Sequence, residues 1–132
     1  MRILAKKVYD VELETFTRLE AGDILFVDSS HVAKVGSDVN DIFFRILPAL
    51  NPGVYIHFHD ILDGFEYPRE WIYAGRAWNE AYLLRAFLQY NHAFSIEFFN
   101  SWIWEWQTSE LVSLLPLARA TPGTSIWLRK AE

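Results

Sequence analysis

The chain has 132 residues, a formal net charge of −5 and no cysteine. That length supports one domain with a real core, the missing thiols exclude disulfides and thiolate metal sites, and the acidic balance argues against a nonspecific hold on nucleic acid, which needs basic surface. Apolar residues make up 52% and aromatics 17%, with six Trp; a lone domain of this size hides so much apolar surface with difficulty, which points to an oligomer or to further polypeptide.

In chain order, Met1-Arg2-Ile3-Leu4-Ala5-Lys6-Lys7 carries early charge with no apolar stretch of a secretory leader behind it. No apolar run approaches the roughly 20 residues of a membrane helix, so the expected location is cytoplasmic, with no membrane partner. Ile3–Val8 is expected as a short strand. Val11–Glu20 follows as a helix with Leu13, Phe16 and Leu19 on one stripe, ended by Ala21-Gly22. Asp23–Val27 reads as an apolar strand, then comes the polar loop Asp28–Ser37. Asp38–Leu50 is the clearest helix: Val39, Ile42, Phe43, Ile46, Leu47 and Leu50 recur on one face, Ser37 or Asp38 caps it, and Asn51-Pro52-Gly53 closes it.

Val54–Phe58 is a β-branched and aromatic run of the kind buried on both faces of a parallel sheet. Strand, helix and strand with such short connections make a βαβ unit with parallel strands. Asp60–Arg76 is a long connection rich in aromatics, the length of a lid or binding loop. A second helix is expected over Trp78–Tyr90, a third strand over Phe94–Phe99, a short helix over Ser109–Leu117, and a last strand over Ser125–Arg129 after Thr121-Pro122-Gly123. One α/β domain over residues 1–132 is expected.

Two strands end in the same grammar: Asp28-Ser29-Ser30-His31 and His59-Asp60. In open α/β sheets the ligand crevice lies beyond the carboxyl ends of the strands. Neighbouring strands would therefore bring two acids and two imidazoles around one crevice. Asp28 and Asp60 suit a divalent cation as oxygen ligands, and His31 is placed for general-base work near neutral pH. The same residues also fit a plain structural role, the acids capping loop amides and the imidazoles sitting in polar pockets. His57 and His59 have the spacing of a metal pair, without an evident third ligand on their face. Asn79-Glu80 starts a helix, where an acid is favourable for the dipole alone and a substrate role is open but unforced, and His92 reads as a helix-end residue.

The run Leu19–Val32, the phrases Gly36-Ser37-Asp38-Val39-Asn40 and Ile46-Leu47-Pro48-Ala49-Leu50, the block His57–Ile61, Phe65-Glu66-Tyr67-Pro68 and Trp78–Leu84 resemble class I S-adenosylmethionine-dependent methyltransferases. The resemblance covers most of residues 19–101. It implies a three-layer α/β sandwich, a partial Rossmann-like methyltransferase fold with a mostly parallel sheet and an antiparallel last strand. It also implies that the chain corresponds to the C-terminal half of the domain. No Gly-x-Gly turn occurs, and the six glycines are scattered singly, so the main cradle for S-adenosylmethionine is missing.

In metal-dependent relatives, acids ending the fourth and fifth strands hold magnesium. Carried over, Asp28 and Asp60 are metal ligands, His59 stands where those relatives have an acid, and His31 matches the catalytic base. Imidazole suits zinc or another transition metal better than magnesium. The missing strands would leave one edge of the Asp23–Val27 strand open, to be covered by Ile3–Val8, by a second copy, or by a chain supplying the other half with its S-adenosylmethionine. The aromatics Phe98, Phe99, Trp102, Ile103, Trp104 and Trp106 offer either a second sticky surface or core packing. Two functions follow: a portion of a methyltransferase not competent alone, or a non-catalytic oligomeric module that has retained a small-molecule ligand.

Overall fold

The computed structural model describes residues 3–131. A 3-10 turn at Val8–Asp10 and a short helix α1 (Glu14–Thr17) precede strand β1 (Ile24–Val27). Helix α2 (Asp38–Asp41) runs through a π-helical turn at Ile42–Ile46 into α3 (Leu47–Ala49), and β2 (Tyr55–His59) follows. The segment after β2 holds a 3-10 turn at Asp63–Phe65 and α4 (Arg69–Tyr73). The chain continues through α5 (Glu80–Leu88), β3 (Phe94–Phe99), α6 (Asn100–Leu114), a 3-10 turn at Pro116–Arg119, and β4 (Ser125–Lys130).

The four strands lie in the order β1-β2-β4-β3. β1 and β2 are parallel, Ile24 opposite Tyr55 and Val27 opposite Phe58, as a helical crossover requires. β4 is antiparallel to both of its neighbours, as expected for the last strand. The expectation of a mostly parallel sheet needs correction: the sheet is mixed, and only β1–β2 is a parallel pair. β1, β2 and β3 run the same way, but β4 returns between β2 and β3 and turns both of those contacts antiparallel.

The helix over 38–49 buries the face that its apolar spacing marks out: Val39, Ile42, Phe43, Ile46 and Leu47 are all buried, as is Leu50 just beyond it. Ser37 caps it, its hydroxyl accepting from the Asn40 amide. The π turn has a local cause. Pro48 has no N–H to give to the Phe44 carbonyl, and its ring crowds that carbonyl. The turn before it widens, and the Leu47 amide reaches back to the Ile42 carbonyl.

This helical face packs on alternate residues of the sheet. Val27, Ile56, Phe58, Ile126 and Leu128 are buried in one core with Ala81 and Leu84 of α5. Phe43 contacts Phe58 at 5.4 Å between ring centroids and Phe87 edge-on at 5.5 Å. The opposite face is covered unevenly. Ile24 is 53% and Phe26 59% exposed there, so a second helical layer does not extend over β1. α6 meets β3 and β4, is bent at Gln107 and buries only Leu111.

Ile3–Val8 forms no strand. Ile3 and Leu4 are exposed, and Arg45 holds the segment that follows, donating to the carbonyls of Val8 at 3.1 Å and Val11 at 3.3 Å. Three apolar residues before two lysines are too few to dock on a sheet. Among the described residues, nothing pairs with the outer edge of β1. No helix among them is long and apolar enough to cross a membrane.

Candidate functional site

Because β1 and β2 are parallel neighbours, their carboxyl ends open on the same rim. Just past each strand the chain turns sharply through a left-handed residue, His31 with φ 56° and Asp60 with φ 57°. Non-glycine residues rarely adopt this conformation. It brings the expected site residues together. His31 Nε2 lies 3.5 Å from Asp28 and 3.9 Å from Asp60, and His59 Nδ1 lies 3.2 Å from Asp60. Thr124, at the approach to β4, donates its hydroxyl to Asp60 at 2.8 Å.

The other side of the His31 ring meets Glu80, whose Oε2 is 2.8 Å from Nδ1. Glu80 is 0% exposed. Its second oxygen accepts from the Ser29 hydroxyl at 2.9 Å, and that hydroxyl also accepts from the His31 amide. The start of α5 is laced to the same loop: the His31 carbonyl accepts from the Asn79 and Glu80 amides, and the Asn79 side chain bonds both the amide and the carbonyl of Ala33. Trp78 lies against the His31 ring at 4.2 Å.

Sequence reasoning missed Glu80 as part of this cluster. An acid at a helix start has a sufficient local explanation, and only the fold sets it against a residue 49 positions earlier.

Burial works against charge on His31 and is the largest single influence. The hydrogen bond and charge of Glu80, with the charges of Asp60 and Asp28, outweigh it and hold the imidazole above its ordinary range. His57 goes the other way. Burial and the neighbouring His59 push it down, and its Nδ1 is buried with no hydrogen-bond partner among the described residues. Tyr67, whose oxygen accepts from the Ala81 amide at 2.9 Å, is pushed up to about 12 by burial.

Among the described residues, no three His, Asp or Glu side chains are grouped so that they could hold a metal ion. Asp60 is engaged by Thr124 and His59, and Asp28 faces the imidazole of His31. Asp28 and Asp60 thus flank the imidazole of His31, with His59 beside Asp60. His57 and His59 project to the open face of the sheet, ring centroids 6.1 Å apart.

Residues 1–61 match the family model described as a methyltransferase domain. That segment, a little under half of the chain, is similar to a methyltransferase domain. The matched methyltransferase segment contains β1, the helical crossover and β2, and with them Asp28, His31, His59 and Asp60. The blocks Phe65–Pro68 and Trp78–Leu84, and Glu80 with them, lie beyond it. Searches of curated proteins and of solved structures gave no match.

Proposed function

We propose that these residues form the acceptor side of a methyl-transfer site whose S-adenosylmethionine-holding side is provided by polypeptide outside them. The observation that carries this reading is the convergence of Asp28, His31 and Asp60 at the tips of adjacent parallel strands, beside a strand edge that no described residue pairs with. A cavity of about 180 Å³ lies against β1, lined by Val8, Phe16, Leu25 and Ile42 and reaching Asp28. Polypeptide docked along that edge would thus border the same rim as the acids. The sequence contains no Gly-x-Gly turn, which supports placing the hold on S-adenosylmethionine outside these residues.

A second reading is favoured by the exposed Ile24 and Phe26 on the edge strand. A second copy of the chain would cover them, giving a homo-oligomeric module that binds a small molecule without transferring a methyl group.

Calorimetry with S-adenosylmethionine, with and without a divalent cation, together with the solution mass, tests both readings. The chain alone is expected to show no saturable micromolar binding and a mass above that of a monomer. Micromolar binding by a monomer would overturn both. Turnover when a cofactor-holding half is added supports the first; a stable homo-oligomer inert under that addition supports the second.

A further inference from the structure

We propose that Glu80 is a positioning residue for His31, fixing its proton on Nδ1 and turning the lone pair of Nε2 toward the crevice between Asp28 and Asp60. This deepens the acceptor-side reading and rests on it for its chemical purpose. An ionised carboxylate only accepts hydrogen bonds. With Glu80 Oε2 at 2.8 Å, Nδ1 is the ring nitrogen that must donate, which leaves Nε2 unprotonated in the neutral ring.

Three further contacts keep the pair from rotating away. Ser29 occupies the other oxygen of Glu80, the Glu80 amide bonds the His31 carbonyl, and Trp78 flanks the imidazole. Such a buried carboxylate is costly unless its partners are fully supplied, and all the partners seen here converge on the His31 turn. A dipole complement at the start of α5 would need only an exposed acid.

The chemistry this prepares is proton removal from an acceptor hydroxyl. As its O–H bond breaks, Nε2–H forms, the oxygen keeps the electron pair, and the imidazolium is held by the Glu80 charge. The acceptor is then a hydroxyl-bearing small molecule, its oxygen seated between Asp28 and Asp60.

The test is nitrogen NMR of the His31 ring in the intact chain, at a pH high enough that the ring is neutral. The wild type is expected to hold the Nδ1–H tautomer. An Nε2–H ring in the wild type overturns the proposal, whatever any variant does. Glu80→Ala is expected to lose the Nδ1–H preference, and its retention in a folded variant would also overturn the proposal. Should Glu80→Ala not fold, Glu80→Gln keeps the shape and removes the charge. Its Nδ1 proton resonance is expected to move upfield or vanish, because a charge-assisted bond is the stronger one; an unmoved resonance counts against Glu80. None of these measurements needs cofactor or partner, so their failure is distinct from failure of the acceptor-side reading, which calorimetry and mass decide.

Discussion

Phe26 lies flat on His57, the ring centroids 4.4 Å apart and the planes 9° from parallel. The other side of that imidazole meets the edge of Trp127 at 4.7 Å. The result is an aromatic strip across β1, β2 and β4 on the sheet face that no helix covers over β1. It accounts for a buried histidine on an otherwise open surface.

On the homo-oligomeric reading, Phe26 should contribute more to association than to folding. Phe26→Lys should cost about 1 kcal/mol of stability, the scale of one aromatic pair. It should also return an assembly to monomer, because a lysine on an edge strand blocks pairing. Denaturant titration and light scattering on the same sample separate the two effects.

The His31 cluster predicts a pH dependence with a definite sign. A histidine whose folded value is raised contributes stability that is fully present below its unfolded value, about pH 6.5. That contribution is lost as pH rises through the higher folded value. The wild type should lose stability across that window, and Glu80→Gln should flatten the slope. Urea unfolding at a series of pH values reads both.

In the core, Phe58 is fully buried against Phe43. Phe58→Ala should cost about 3–5 kcal/mol, the range for deleting a buried aromatic. Its strand ends at the site, so a drop in the denaturation midpoint should come with weaker protection of the His59 and Asp60 amides in hydrogen exchange.

Two glycines make a controlled comparison. Gly53 has φ +86°, and a Cβ there would sit 2.6 Å from the Cβ of Ala21; Gly22 has φ +93° with open space around it. Gly22→Ala should cost only the backbone strain, about 1 kcal/mol. Gly53→Ala adds a clash at the junction where the Gly22 amide bonds the Gly53 carbonyl and the Gly53 amide bonds Lys130. Thermal unfolding of the two variants should place Gly53→Ala well below Gly22→Ala.

The strands were legible because each is a short apolar run between breakers. Phe94–Phe99 was read to the residue, and β1, β2 and β4 to within one position. The crossover helix was legible from one periodic face, although its π turn follows from Pro48, which the period does not register. α6 was half seen, expected only from Ser109. It begins at Asn100 directly off β3, with no capping side chain, and Trp102, Ile103, Trp104 and Trp106 spread around the helix instead of marking one apolar face. Val11–Glu20 shortened to Glu14–Thr17, since a stripe of three apolar residues offers little to bury. At the site, Asp28, His31, His59 and Asp60 followed from the rule about strand ends, whereas Glu80 depended on a long-range contact that leaves no local signature.

The left-handed turn at His31 has one more consequence. Its carbonyl is the acceptor for the amide of Asn79, just before α5, and for that of Glu80, the first of the helix, and the Asn79 side chain grips Ala33 from both sides. The loop therefore cannot swing open like a door while the helix stays put. Unclasping one undoes the other, so this side of the rim should open only in a shared breathing motion, with the Ala33 and Glu80 amides trading hydrogen for deuterium at a common rate.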